Sequence, residues 1–271
     1  MVTRKDDLMK NNEHTFVICA YKESPFLEKC IKSLKKQTAE SEIIMVTSTP
    51  NPHISGLSES YNLPLFVNEG QGGIVQDWNF GYAKATTPYV TIAHQDDIYF
   101  KDYTKEALAC VKGCKRPLIF FSDYYELRDG RYVKSNKLLN IKRLMLLPLR
   151  VKPFWNSVFV RRRILSLGSP ICCPSVMYAK ENLPKPVFKV GFRSNEDWEA
   201  WEMISRLKGA FAYSKKPLMA HRIHEESETS AIISENKRSD EDVVMYSKFW
   251  PKFMVKILVK LYAKAQKSNS I

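Results

Sequence analysis

Short apolar runs alternate with helical spacings through the first half of the chain, and this alternation constrains the fold more than any other feature. Residues 15–20 (TFVICA), 42–47 (EIIMVT), 65–68, 89–93 (YVTIA) and 118–123 (LIFFSD) have the length and near-continuous apolarity of strands buried on both faces. Helices are expected after them, over residues 26–34, 54–61, 74–84 and 103–112. Ser24-Pro25 starts the first as an N-cap and a first-turn proline, and a Gly-rich turn at residues 70–73 precedes the third. Strands and helices in strict alternation make a mostly parallel α/β sheet, Rossmann-like, with helices on both faces. Ligands of such sheets bind beyond the carboxyl ends of the strands.

After about Asp123 the rhythm changes. A hairpin is expected at Asp129-Gly130, then helices over 138–147 and 154–165 separated by Pro148 and Pro153, a helix over 195–207, and strand-like segments at 210–213 and 218–223. No repeat or low-complexity linker divides the chain.

The formal charge is +13, from 42 Lys+Arg against 29 Asp+Glu. Eleven of the basic residues lie in residues 131–180 and six in 243–271, and neither block holds an acid. The remainder, with 25 bases and 29 acids, is mildly acidic. A nucleic-acid-binding module is not expected, because the basic residues are interleaved with leucines and tryptophans and no zinc-finger or RNA-recognition signature is present. Residues 1–15 lack the apolar stretch of an export signal, and no apolar run approaches the roughly 20 residues that span a bilayer, so a cytoplasmic protein, soluble or peripheral on the membrane, is expected. None of the six cysteines forms a Cys-x2-Cys pair, and reduced core thiols are expected.

Chemistry-bearing residues cluster at the expected strand ends. His94-Gln95-Asp96-Asp97 follows directly on an apolar strand, and adjacent carboxylates there suit a hard divalent cation that bridges to phosphates, although Asp-Asp also starts turns and caps helices. Ala20-Tyr21-Lys22-Glu23 follows the first strand, and GGIVQDWNFG (residues 72–81) precedes the strand that delivers the carboxylates. Asn195-Glu196-Asp197-Trp198 opens a helix, where acids also complement the helix dipole. His221-Arg222-Ile223-His224-Glu225 alternates along a short strand, with His221, Ile223 and Glu225 on one face.

With these motifs the chain resembles the family 2 glycosyltransferases of the GT-A fold, most closely over residues 15–99 and again over 195–230. The resemblance implies a nucleotide-sugar donor across the strand ends, contacted by Ala20, Tyr21, Glu23, Thr47, Asp77, Asn79, Gln95 and Asp96. It implies Mn²⁺ or Mg²⁺ on Asp96, with Asp97 and His224 as further ligands, and Asp197 as the general base. Glu196, Trp198 and Trp201 are then expected at the acceptor, with the tryptophans stacking on its sugar. Two positions depart from the family pattern: Thr47-Ser48-Thr49 stands where an acid commonly reads the base, and His94 stands at the first acid of Asp-x-Asp. The base is therefore left open, with a UDP-sugar favoured. The resemblance further implies inversion at the anomeric carbon and a role in bacterial surface-polysaccharide synthesis. The alternative is a sugar-nucleotide-binding or membrane-associated protein without transferase activity.

In these terms residues 1–242 are expected to form one catalytic domain, with a donor half (15–123) and an acceptor half (124–242), followed by a basic amphipathic helix (243–271). In that tail Lys248, Lys252, Lys256, Lys260 and Lys264 recur every four residues among Phe249, Phe253, Ile257 and Leu261. Such a helix lies on an anionic membrane or packs on the domain with its lysines solvated, and the pattern serves either. The 131–180 block, with Arg161-Arg162-Arg163, falls between the donor half and Asp197, where its basic and apolar residues would suit a lipid-linked or phosphate-containing acceptor.

Overall fold

The computed structural model describes residues 12–224 and 238–267. Strand β1 (His14–Cys19) lies parallel between β2 (Glu42–Thr47) and β4 (Tyr89–His94), and β3 (Leu65–Val67) extends the sheet beyond β2. The crossovers are α1 (Leu27–Leu34), α2 (Pro52–Ser60) and α3 (Ile74–Lys84). Phe16, Val17 and Ile18 are fully buried, as the apolar run required of a strand covered on both faces. Because the four strands run in one direction, the residues after Cys19, Thr47, Val67 and His94 emerge on the same edge.

The second half extends this sheet. After β5 (Ile98–Tyr99) and α4 (Tyr103–Lys112) come β6 (Pro117–Arg128) and β7 (Arg131–Val133), joined at Asp129 and Gly130, whose φ values of 47° and 76° make the left-handed pair of a two-residue hairpin. Strand β8 (Val176–Ala179) inserts antiparallel between β4 and β6. The two short segments expected at 210–213 and 218–223 are one strand, β9 (Ala210–Ile223), parallel to β6. Register shifts around Ser122–Tyr124 bend the pair, and β9 then also pairs antiparallel with β5, Ile98 opposite Ala220. That bend carries His221 and Arg222 onto the loop that holds Asp96 and Asp97.

The helices of the second half are α5 (Lys137–Met145), α6 (Val158–Leu165) and α7 (Glu196–Ser205). The helix expected over 154–165 starts only at Val158: residues 152–156 form a 3₁₀ turn, and the Ser157 hydroxyl caps α6 by accepting from the Val160 N–H. The arginine run was expected near the acceptor, but it belongs to the scaffold. Arg161 is buried, its guanidinium donating to the backbone carbonyls of Ser205, Leu207 and Gly209 at the end of α7, and burial lowers its pKa to about 10. Arg162 pairs with Glu202 at 2.7 Å, Arg163 stacks on Trp250, and Arg143 pairs with Asp123 at 2.7 Å. These contacts account for four of the eleven basic residues of the 131–180 block without a polyanion.

The C-terminal segment forms α8 (Arg238–Ser247) and α9 (Lys252–Lys267), so the boundary expected at 242/243 falls inside a helix. The inner face packs on the domain: Val255 and Val259 are buried, and the Trp250 indole donates to the Ser166 carbonyl at 2.7 Å. The outer face of α9 leaves Phe253 and Ile257 at 71% and 58% exposure beside exposed Lys252, Lys256 and Lys260, and Leu261, 61% exposed, stands where the helix borders a cleft at the strand ends. No described helix is long and apolar enough to cross a membrane. Glu225 lies outside the described residues.

His14 makes the fold acid-sensitive. Its ring hydrogen-bonds the Ser41 and Thr91 hydroxyls at 2.9 Å each, and burial pulls its pKa from 6.5 down to about 3. The folded state therefore binds fewer protons here than the unfolded one, so the contribution is complete above pH 6.5 and is lost as pH falls toward 3. Between about pH 7.5 and about pH 5 this group is expected to cost roughly 2 kcal/mol. Denaturant unfolding of the wild type and His14→Asn at both pH values measures the difference, and equal losses would place the acid sensitivity elsewhere.

Candidate active site

At the carboxyl edge of the parallel strands lies a cleft of about 1380 Å³, larger than the roughly 300–1,000 Å³ that holds one small ligand. Its donor-side wall is built by the β1 and β4 ends and the start of α3. The Gln95 amide clamps the Tyr21 backbone from both sides, accepting from its N–H at 2.9 Å and donating to its carbonyl at 3.0 Å. Ala20, Tyr21, Asp77, Gln95 and Asp96 all line the cleft. Gly73 turns into α3 with φ +149°, where an added Cβ would sit 2.3 Å from the Gln76 side chain.

A carboxylate from α3 lies beside the β2 end: Asp77 accepts from the Ser48 hydroxyl at 2.6 Å and the Asn68 amide at 2.8 Å. Three expected donor contacts lie outside the cleft lining. Thr47 is fully buried and its hydroxyl accepts the Thr49 N–H; Asn79 locks the Phe188 backbone with two hydrogen bonds; Glu23 is exposed beyond the cleft. Thr47 and Asn79 face inward because a strand end and a helix face must bury half of their side chains.

His94, Asp96 and Asp97 bring one donor atom each within 4.8 Å of one another. The His94 ring stacks on Trp78, with centroids 5.4 Å apart, and its Nε2 is buried without a hydrogen-bond partner. Burial lowers its pKa against the opposing charges of Asp97 and Asp96, so the imidazole stays neutral at pH 7 and keeps a lone pair for a cation. Asp97 is held from β9: it accepts the Arg222 N–H at 2.8 Å and faces His221 Nδ1 at 3.1 Å. Burial would lower the His221 pKa, but the charge and hydrogen bond of Asp97 raise it above the usual value. Burial likewise opposes ionisation of Asp96, yet the hydrogen bond from His224 and the neighbouring His94 and His221 hold its pKa below the usual value.

His224 was expected as a metal ligand. Its Nε2 lies 3.0 Å from the Asp96 carboxylate, beside the close set of His94, Asp96 and Asp97 donor atoms. Arg222 donates to the Asp96 backbone carbonyl at 2.8 Å and stacks on Phe26. His94 and His221 were not assigned from the sequence. The available signal for His94 was its place at the strand end, in register with Cys19.

Across the cleft, Glu196 and Asp197 open α7, and the Asp197 carboxylate accepts the Trp198 N–H at 2.6 Å. Cys172 and Cys173 line the same wall as free thiols; burial and the Asp197 charge keep the Cys173 thiol protonated. The tryptophans expected to stack on acceptor sugar do not reach it. Trp198 and Trp201 are both 0% exposed: the Trp198 indole donates to the Leu165 carbonyl at 3.0 Å, and Trp201 stacks on Tyr178. Positions three apart on α7 share its inward stripe, and the largest side chains on that stripe fill the core.

Among curated proteins, none matches the chain in sequence. Several solved structures are similar in fold. S. aureus TarS 1–349 in complex with UDP-GlcNAc is 16% identical with a TM-score of 0.62, over 95% of this chain and 73% of that one. The mannosyltransferase PcManGT from Pyrobaculum calidifontis, in complex with GDP-Man and Mn²⁺, is 14% identical with a TM-score of 0.63, over 94% of this chain and 70% of that one. Another S. aureus TarS structure is 17% identical with a TM-score of 0.57, and this chain spans 42% of its length. Residues 15–166 match the Glycosyl transferase family 2 pattern. With that match over the strands that build the cleft, the chain belongs to glycosyl transferase family 2 and is a glycosyltransferase of the GT-A fold.

Proposed function

We propose that this glycosyltransferase is metal-dependent and inverting, and moves a sugar from a nucleotide-sugar to a hydroxyl of a glycan or lipid-linked acceptor. The observation that carries this is the placement of His94, Asp96 and Asp197 along one cleft at the strand ends, with the buried Asp97 carboxylate within 4.8 Å of the His94 and Asp96 donor atoms. The nucleoside lies along Ala20 and Tyr21 with Asp77 beside it, and the diphosphate points to Asp96. His94, Asp96 and Asp97 fit a divalent cation by their donor set and by the unpartnered Nε2 of His94. An imidazole beside two carboxylates suits Mn²⁺ better than Mg²⁺. When bound, the cation supplies charge neutralisation for the diphosphate leaving group.

Asp197 takes the proton of the acceptor hydroxyl as its oxygen attacks the anomeric carbon, while the bond from that carbon to the diphosphate oxygen breaks with its electron pair leaving on the diphosphate. Attack from the face opposite the leaving group inverts the configuration. Glu196, beside Asp197, faces the acceptor. Support for a UDP-sugar or a GDP-sugar comes from the ligands of the similar structures. A cytoplasmic enzyme on an anionic membrane surface, working on cell-envelope polysaccharide, accounts for the exposed apolar and lysine residues of α9.

Calorimetric titration with UDP- and GDP-sugars, with Mn²⁺ and with chelator, tests the metal. Chelation and Asp96→Ala are each expected to weaken the preferred donor about tenfold or more, equivalent to about 1.4 kcal/mol. Donor affinity that ignores both would remove the metal from this account.

A further inference from the structure

Part of the lining of the cleft that holds Asp197 is apolar: Ile141 of α5, Leu167, and Leu258 and Leu261 of α9. Ile141, Leu167 and Leu261 remain more than a third exposed while lining it. Aliphatic side chains held without cover at the rim of a functional cleft mark a place for an apolar ligand. A sugar alone would leave them against water, whereas a hydrocarbon chain covers them. Charge points the same way. Lys142, next to Ile141, lines the cleft with its ammonium 2.9 Å from the Tyr124 hydroxyl, exposed Lys256 and Lys260 follow on α9, and neither basic segment contains an acid. Such a rim complements an anionic lipid surface.

We propose that this apolar part of the cleft is a groove for the hydrocarbon chain of a lipid-linked acceptor, which enters between α5 and α9 from an anionic membrane surface. The inference rests on the transferase reading of the neighbouring site and adds the class of its acceptor. The acceptor's sugar hydroxyl then reaches Asp197 while its chain stays against Ile141 and Leu261.

The test uses the full chain and a pyrene-labelled dodecyl glucoside, an uncharged probe that separates the groove from lysine attraction. Saturable binding is expected to the wild type. Ile141→Asn combined with Leu261→Asn is expected to weaken it about tenfold or more. Phe253→Asn, on the same helix but outside the cleft, is expected to leave it unchanged. No saturable binding to the wild type, or equal weakening by Phe253→Asn, would overturn the groove. A diazirine on the same alkyl chain is expected to label α5 and α9 of the wild type, which needs no variant to fold; labelling elsewhere would also overturn it. UDP and GDP titrations with Mn²⁺ on the same proteins report the donor side separately. Failure of both nucleotides to bind the wild type would overturn the donor reading and not the groove.

Discussion

Asp197→Asn is expected to lower the rate of sugar transfer by about 10²- to 10⁴-fold while leaving donor affinity nearly unchanged. The asparagine amide has the shape of the carboxylate, and its carbonyl oxygen can still accept the Trp198 N–H that Asp197 accepts at 2.6 Å, so the start of α7 is preserved. What it lacks is the ability to take a proton. Single-turnover transfer, set beside calorimetric donor binding, separates the two. Transfer by the asparagine variant at the wild-type rate would remove Asp197 as base, and a parallel loss of donor binding would recast it as a donor contact.

Trp198→Ala is expected to cost about 3–5 kcal/mol of stability, the range for deleting a fully buried aromatic side chain. Trp198 lies edge-on to Tyr246 at 5.1 Å and tilted on Tyr262 at 5.7 Å, so it joins α7 to both C-terminal helices. Its loss should loosen α8 and α9 as well as the core. Denaturant unfolding measures the cost. Acceptor KM, with the protein kept below its unfolding transition, is expected to stay near wild type. Unchanged stability with a raised acceptor KM would restore the stacking role that the burial of Trp198 denies.

Much of this site was legible along the chain because it depends on local chemistry. Asp96 and Asp97 follow an apolar strand, and a residue at such a strand end has to emerge on the ligand edge of a parallel sheet. Asp197 sits in the first turn of a helix, a position set by neighbours within four residues. The two tryptophans were misplaced for the opposite reason: periodicity puts Trp198 and Trp201 on the apolar stripe of α7, but only β8 and the C-terminal helices packed against that stripe show it to be sealed. The arginine run was similar, since the carbonyls that Arg161 satisfies lie more than 40 residues away.

The amino-acid order alone determined the alternation of strands and helices, the edge at which the cleft opens, and the place of Asp96 on that edge. Hydrophobic periodicity and strand direction are properties of short segments, and they survive without knowledge of the rest. Tertiary structure decided which groups meet there. Asp77 reaches Ser48 across 29 residues, and His221 and Arg222 reach Asp97 across 124 and 125 because β9 bends from β6 onto β5. The partners that hold Asp96 and Asp97, the carboxylate of Asp77 beside the β2 end and the apolar part of the cleft are all products of such distant contacts, set by sheet curvature and packing, which leave no periodic signature along the chain.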